Sequence, residues 1–292
     1  MKLLITGANG QLGRAINRVF AADDVTLVNT EAAAVAKEHD MRALDITNVD
    51  AVLDAVRAEK PDVLVNCAAY TAVDKQESDE ALSYRINAVG PRNLAIAANA
   101  CGVKLVHVST DYVFDGNGTR PYIEFDATCP ASVYGKTKLA GEEFVKTFAD
   151  RFFILRTAWL YGDGHNFAKT MLRLSEDHDE VSVVNDQVGS PTSASELAKA
   201  IRFLVTTDNY GLFHATCEGD CSWADFAREV FHTAGKKTHV NEISTEDYVK
   251  NNPASAPRPK YSILDNYMLR LTSDYRFADW RDAYHRFTEG MT

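Results

Sequence analysis

The chain has 292 residues, of which 46% are hydrophobic and 25% charged, a composition typical of globular proteins with one large domain or two unequal ones. The formal net charge of −10 argues against general nucleic-acid binding, which needs a basic surface, and no apolar run approaches the roughly 20 residues that span a bilayer. The first apolar run is too short for a signal peptide, and the five cysteines lack metal-ligand spacing, so we expect a cytoplasmic protein without a metal site, nucleic-acid partner or membrane partner.

The first predicted strand, residues 2–6, runs directly into a glycine-rich turn. Gly7, Gly10 and Gly13 follow the strand, and apolar residues at helical spacing come next. Glycines in this context allow a tight turn and close approach of backbone to a pyrophosphate at a helix N-terminus. The pattern favours dinucleotide binding, and the alternative is a simple strand-to-helix turn.

Two acidic residues follow at the predicted ends of the next strands. A strand over residues 25–28 leads to Glu31, about 20 residues after the glycines, where a carboxylate favours NAD by bonding the adenosine ribose without excluding NADP. A third strand ends at residues 44–46, before a helix over residues 49–59. Asp45 and Ile46 either contact the adenine, or Asp45 caps that helix.

A near-continuous apolar run, residues 62–69, predicts a strand buried on both faces of a parallel sheet. The small Ala68 and Ala69 would let a cofactor approach the backbone, and a helix is predicted from Asp74 to residue 101. The following strand, residues 104–109, delivers Thr110 at its carboxyl end, the edge where ligands bind in open parallel sheets. Alternating strands and helices predict a doubly wound α/β fold of Rossmann type.

Tyr134 and Lys138 lie four residues apart in a predicted helix, so they share one face. A cation close to a phenol lowers its pKa and makes it a better acid or base at neutral pH. The two residues are therefore a candidate catalytic pair, and the alternative is an ordinary surface pair.

The second half of the chain alternates less regularly. We predict helices over residues 166–176, 194–205, 222–234 and 280–287, with residues 1–160 forming the dinucleotide-binding domain and residues 161–292 mainly a substrate-binding domain whose segments partly return to the sheet. The proline-rich residues 252–261 predict a loop carrying Arg258 and Lys260, which either meets a nucleotide diphosphate or acts as a linker.

These segments together resemble the extended short-chain dehydrogenase/reductase family. The motifs that carry the resemblance are TGANGQLG (6–13), NCAAYTAVD (66–74), STDYVFDG (109–116), VYGKTKLAGE (133–142), RTAWLYG (156–162), NDQVGSPT (185–192) and RPKYSILD (258–265). The resemblance covers nearly the whole chain and implies a reductase of a nucleotide-linked 4-keto sugar that uses NADPH or NADH.

The resemblance also implies roles for matching residues. Tyr134 would be the proton donor, Lys138 its partner and the anchor of the nicotinamide ribose, and Thr110 the hydroxyl that steadies the keto oxygen. It assigns cofactor contacts to Gly7, Gly10, Gln11, Leu12, Gly13, Asp45, Ile46, Ala68, Ala69, Tyr70 and Thr71, and substrate contacts to Thr110, Asp111, Trp159 and Arg258. Without the resemblance, the position of Trp159 at a strand end favours a core tryptophan.

Two departures narrow this expectation. Related dehydratases place a glutamate directly after the aspartate at position 111, whereas this chain has Tyr112, which favours reduction over elimination of water. Some relatives dimerise around magnesium held by glutamates, and Ala15 stands where one of these lies, although Glu196 is present. We therefore expect no metal and a monomer or homodimer. A non-catalytic dinucleotide-binding subunit and an enzyme acting on another nucleotide sugar are the alternatives.

Overall fold

The computed structural model describes residues 1–21 and 23–290 of the chain. Its central sheet has seven parallel strands in the order β11-β6-β5-β4-β1-β2-β3, which confirms the predicted doubly wound α/β fold. The strands are β1 (Lys2–Thr6), β2 (Thr26–Glu31), β3 (Arg42–Ala43), β4 (Val63–Asn66), β5 (Lys104–Thr110), β6 (Phe152–Thr157), β7 (Leu160–Tyr161), β8 (Glu180–Val184), β9 (Val188–Gly189), β10 (Thr192–Ser193), β11 (Gly211–His214), β12 (Cys221–Ser222), β13 (His239–Ile243) and β14 (Tyr261–Ser262).

Thirteen α-helices are assigned within the described residues. They are α1 (Gln11–Phe20), α2 (Ala33–Glu38), α3 (Val49–Glu59), α4 (Val73–Gln76), α5 (Glu80–Tyr84), α6 (Gly90–Cys101), α7 (Val133–Phe148), α8 (Phe167–Asp177), α9 (Ala194–Val205), α10 (Trp223–Thr233), α11 (Thr245–Asn251), α12 (Tyr267–Thr272) and α13 (Trp280–Glu289). A π-helical turn spans Arg85–Val89, and a 3₁₀ turn spans Asp111–Val113.

The central sheet is buried on both faces, because alternate side chains of each strand point to opposite sides. Leu3 and Ile5 pack with α1 and α9 in one core cluster, whereas Leu4 and Leu64 pack with α3 and α6 in the other. All four side chains have no exposed surface. This arrangement explains the continuous apolar runs of the strands.

The long helix predicted from Asp74 to residue 101 is wrong, because the structure breaks it into α4, α5, the π-helical turn and α6. Pro91 stands in the first turn of α6 and has no N–H to bond the carbonyl of Asn87. The side chain of Asn87 instead bonds the backbone of Tyr70, and a Cβ at Gly141 of α7 would lie 2.3 Å from the Asn87 carbonyl oxygen. The π-helical turn therefore lies where α7 packs closely against the backbone of Asn87.

Smaller boundary differences occur in the second and third strands. β2 continues to Glu31 instead of ending at residue 28, and β3 has only two residues, Arg42 and Ala43, instead of reaching residues 44–46. Both β3 residues are exposed at the sheet edge, which explains why apolar pattern predicted this strand poorly.

The second half of the chain contributes to two packed regions. β11 pairs in parallel with β6 at the edge of the central sheet, and α9 covers one sheet face. β8 and β13 form a separate parallel pair that packs with α8, α10 and α13 in a distinct core cluster. The division into domains near residue 160 stays a prediction. No helix among the described residues has the length and apolar character needed to cross a membrane.

Candidate active site

The glycine turn joins β1 to α1, and its backbone lies against the backbone of Cys67 and Ala68, directly after β4. Gly7 has a φ of +65°, and a Cβ there would lie 2.6 Å from the backbone nitrogen of Ala68. The Gly10 N–H donates to the Gly7 carbonyl over 3.1 Å, and no side chain caps the N-terminus of α1. Free N–H groups at this helix end are suited to an anion.

Three connected cavities follow the carboxyl edge of the central sheet. The glycine-side compartment, about 290 Å³, is lined by Gly7, Glu31, Asp45, Ile46 and Ala68, among others. The central compartment, about 640 Å³, includes Gly10, Gln11, Leu12, Ala69, Thr71, Thr110, Asp111, Tyr134 and Lys138. The aromatic compartment, about 410 Å³, includes Tyr112, Trp159, Phe167, Trp223, Tyr248 and Arg258.

Glu31 and Asp45 are held in place at the glycine-side compartment. The Glu31 carboxylate accepts from the backbone N–H of Asn9 over 3.1 Å, so it lies against the glycine turn. Asp45 accepts from the backbone and hydroxyl of Thr47, whereas Asn48 caps α3 by accepting from the backbone nitrogens of residues 50 and 51. The alternative interpretation of Asp45 as the helix cap is therefore wrong.

The structure brings Thr110, Tyr134 and Lys138 together in the central compartment. Thr110 ends β5, and its hydroxyl donates to the Asp111 carboxylate over 2.8 Å. Ser132 caps α7 by accepting from the Gly135 N–H, which places Tyr134 in the first turn. The Lys138 ammonium donates to the Val108 carbonyl over 2.6 Å.

Burial is the largest influence on the pKa values of Tyr134, Lys138 and Asp111. It raises the pKa of Tyr134 to about 12 and lowers the pKa of Lys138 to about 8. The predicted net lowering of the Tyr134 pKa is therefore wrong, because desolvation of the phenolate is the largest effect on it. Burial also raises the pKa of Asp111 to about 6.

Trp159 lines the compartments instead of lying in the core. Its φ is +49°, and its indole stacks on Trp223 with ring centroids 3.6 Å apart and an interplanar angle of 8°. A Cβ at Gly189 would lie 2.6 Å from the indole, so glycine is needed behind the ring. Sequence reasoning missed Trp223, since its pairing with Trp159 joins segments far apart in the chain.

The proline-rich loop is anchored across the compartments. Arg258 pairs with Asp74 at 3.0 Å, and the Ala256 N–H donates to the same carboxylate over 2.9 Å. Although burial opposes the shift, these bonds hold the pKa of Asp74 below its usual value. Arg258 lines the central and aromatic compartments, whereas Lys260 pairs with Asp186 and lines neither. The loop is therefore not a free linker.

Two predicted cofactor residues do not line the compartments. A Cβ at Gly13 would lie 2.5 Å from Ala8 Cα, so this glycine lets α1 pack on the turn. The backbone N–H of Tyr70 donates to the side-chain oxygen of Asn87, and the side-chain nitrogen of Asn87 donates to the Tyr70 carbonyl. Both residues support neighbouring backbone and do not face the cavities.

Comparison with known proteins gives a consistent result. The model of the family described as RmlD substrate binding domain matches residues 1–292. The dTDP-4-dehydrorhamnose reductase of Escherichia coli (strain K12) is 40% identical, covering 98% of this chain and 96% of that protein. A crystal structure of a dTDP-4-dehydrorhamnose reductase from Clostridium acetobutylicum is 49% identical, with a TM-score of 0.93, covering 100% of this chain and 99% of that one.

A second solved structure carries a ligand. The dTDP-4-dehydrorhamnose reductase of Bacillus anthracis, in complex with NADP, is 41% identical with a TM-score of 0.90, covering 99% of each chain. The match of a family model over the full length, together with these relatives, confirms the resemblance drawn from the motifs. The chain belongs to the family described as RmlD substrate binding domain, and its relatives include several dTDP-4-dehydrorhamnose reductases.

Proposed function

We propose that this chain reduces dTDP-4-dehydro-L-rhamnose to dTDP-L-rhamnose with NADPH or NADH, the last step of dTDP-rhamnose synthesis. The observation that carries the proposal is the meeting of Thr110, Tyr134 and Lys138 in a compartment that opens toward the glycine turn. A hydroxyl, a phenol and an ammonium at one edge of a parallel sheet suit carbonyl reduction beside a dinucleotide.

The residues present fit a dinucleotide along the glycine-side and central compartments. Gly7 and Gly10 line the glycine-side compartment without side chains that would block a pyrophosphate, and the uncapped N-terminus of α1 offers N–H donors. Glu31 stands at the end of β2, where its carboxylate suits the ribose 2′-hydroxyl of NADH better than the phosphate of NADPH. Asp45 and Ile46 would contact the adenine.

Tyr134 is suited to give a proton to the sugar oxygen. Because burial raises its pKa to about 12, the phenol holds its proton at neutral pH. An alkoxide developing at the fourth carbon is a stronger base than a phenolate, so the proton moves toward the sugar. Thr110 would hold the keto oxygen beside Tyr134, and Lys138 would bind the nicotinamide ribose. The nicotinamide itself supplies the hydride.

The substrate would extend from the central into the aromatic compartment. Asp111 and Trp159 would contact the sugar, and the apolar walls around Trp223 suit a planar base. Arg258 is a cation in a chain of net charge −10, and it lies between the two compartments, where a diphosphate joining sugar to base would pass.

Turnover of purified protein with dTDP-4-dehydrorhamnose tests the proposal. Loss of reduced-nicotinamide absorbance with NADPH or NADH, followed by identification of dTDP-L-rhamnose, is the expected result. If the reduced nicotinamide is oxidised only in the presence of a different nucleotide 4-keto sugar, that sugar is the substrate. Dinucleotide binding without turnover of any such sugar would support a regulatory binding subunit instead.

Variants of Tyr134 and of a second tyrosine, Tyr161, test the proton donor. Tyr134→Phe should retain dinucleotide binding while turnover falls by about 10²–10⁴-fold, the usual contribution of a positioned acid. Tyr161→Phe is the matched control, since Tyr161 is 1% exposed, packs in the α8/α10/α13 core and has a hydroxyl without a partner among the described residues. Full activity in Tyr134→Phe would reject the proton-donor role.

A further inference from the structure

Glu142 occupies the same face of α7 as Tyr134 and Lys138, one further turn along the helix. Its side chain is completely buried and forms a two-pronged ion pair with Arg156, with Nε to Oε1 at 2.9 Å and Nη2 to Oε2 at 2.7 Å. The Ser109 hydroxyl donates to Oε1 over 2.5 Å. Three hydrogen bonds therefore fix this carboxylate.

The partners of Glu142 come from the strands that end at the active site. Ser109 of β5 and Arg156 of β6 are paired neighbours in the sheet, and Thr110 is the residue after Ser109. The carboxylate thus ties α7 to both strands beneath it. Stability alone does not account for the pair, because a buried ion pair can often be replaced by apolar residues without loss.

The ammonium of Lys138 needs a counter-charge. Its side chain is buried, and burial opposes the charged form, while the ammonium donates a hydrogen bond to a neutral group, the carbonyl of Val108. Three titratable side chains interact electrostatically with this ammonium. They are Glu142 of α7, Cys67 after β4 and His107 of β5.

Of these three groups, only Glu142 can supply a negative charge at neutral pH. Burial raises the pKa of the Cys67 thiol to about 12, and Glu31 adds to that shift, so the thiol keeps its proton. Burial lowers the pKa of His107 well below its usual value, with Lys138 adding to the effect, so the imidazole is neutral. Lys146 lies on the other side, 3.8 Å from the Glu142 carboxylate, and is partly exposed.

We propose that Glu142 is a positioning residue that keeps Lys138 in its charged form at the active site, and that Arg156 and Ser109 hold Glu142 in place for this purpose. The inference rests on the proposed function in that Lys138 serves the reduction. The role of Glu142 as a counter-ion one helical turn from Lys138 does not depend on that reaction, because it involves only α7 and the two strands below it.

A titration of Lys138 itself tests the inference without substrate. The protein is labelled with lysine carrying ¹³C at Cε, the Lys138 signal is assigned by its loss in Lys138→Met, and its chemical shift is followed against pH. Wild-type Lys138 should titrate near pH 8. Glu142→Leu/Arg156→Leu removes both buried charges, so we expect a folded protein in which Lys138 titrates at lower pH.

Further variants separate charge from packing. Glu142→Gln keeps the shape of the side chain and serves as the test if the double variant does not fold. The midpoint of the Lys138 titration should again move to lower pH. Glu142→Asp keeps the charge and should titrate close to wild type. Glu196→Gln removes another buried carboxylate, paired with Lys199 and outside the compartments, and should leave the Lys138 titration unchanged.

The alkaline limb of kcat against pH should move with the Lys138 titration. An unchanged midpoint in a folded variant lacking the Glu142 charge would overturn the inference, even if activity were low. If the variant shifts the Lys138 midpoint but the wild-type protein turns over no nucleotide sugar, the role of Glu142 is supported and the proposed reaction is rejected.

Discussion

Replacing Gly7 with alanine tests whether the glycine turn must lie against the backbone of Ala68, just after β4. A Cβ at this position would lie 2.6 Å from the Ala68 nitrogen and 2.8 Å from its Cα, and the backbone φ is +65°. The left-handed conformation costs an ordinary residue about 1–2 kcal/mol. Overpacking against backbone adds roughly 1–3 kcal/mol. We expect Gly7→Ala to lower the free energy of unfolding by about 2–5 kcal/mol, the sum of these ranges.

Gly102→Ala is the matched control for this change. Gly102 has a φ of +67° at the end of α6, and nothing lies within 4 Å of a Cβ built there. Only the conformational cost applies, and lower flexibility of the unfolded chain offsets part of it, so we expect a loss of about 1 kcal/mol.

Urea unfolding followed by circular dichroism compares the two glycine variants, and fluorescence titration with NADH gives their cofactor affinity. Gly7→Ala should also bind NADH more weakly, because the turn must move away from Ala68 to admit the methyl group. Equal losses of stability in both variants would refute the close approach of the two backbones. Unchanged NADH affinity in a destabilised Gly7→Ala would refute the placement of the dinucleotide over this turn.

Three other predictions concern charged residues of the compartments. Arg258→Ala should raise KM for the nucleotide sugar by about 10–100-fold with a smaller change in kcat, as expected for a lost charge-assisted bond of 1.5–3 kcal/mol, while Lys260→Ala should change neither; equal effects would reject the Arg258 contact. Glu31→Ala should raise the ratio of kcat/KM for NADPH to that for NADH, and an unchanged ratio would remove Glu31 from the ribose site. The pKa of Asp111 is about 6 in the folded protein, above its usual value of 3.8, so the stability that this residue contributes is lost as pH rises from about 4 to about 6 and falls no further above that. Urea unfolding should show Asp111→Asn gaining about 2–3 kcal/mol relative to wild type between pH 4 and pH 8, and a pH-independent difference would contradict this shift.

Elements whose signals are local were predicted well from sequence. The bounds of α3 and α9 agree with the predicted residues 49–59 and 194–205. In both cases a side chain at the preceding position, Asn48 or Ser193, caps the helix and an apolar stripe continues behind it. A cap and a stripe are both visible in a short stretch of sequence.

Features that depend on distant partners were not predicted. The π-helical turn lies where Asn87 bonds Tyr70 and where Gly141 of α7 approaches, and no local pattern reports either contact. The pairing of Arg258 with Asp74 joins residues 184 positions apart. Proline content predicted that Arg258 lies on a loop, but its pairing with the Asp74 carboxylate depends on how the whole fold brings the loop to α4.

The protonation of Tyr134 shows why the chemistry of a site is harder to predict than its location. Helical spacing correctly placed Lys138 on the same face, and that proximity alone predicted a lowered phenol pKa. The opposing effect is desolvation, which depends on every element that closes over the ring and here raises the pKa to about 12. With a pKa of about 12 the phenol keeps its proton at neutral pH, so it is in the protonated form that donation to a reduced sugar requires, but burial makes it a weaker acid than a free phenol. The same desolvation makes the ammonium of Lys138 costly to keep charged, and a fixed carboxylate such as Glu142 offsets that cost from the far side of the lysine.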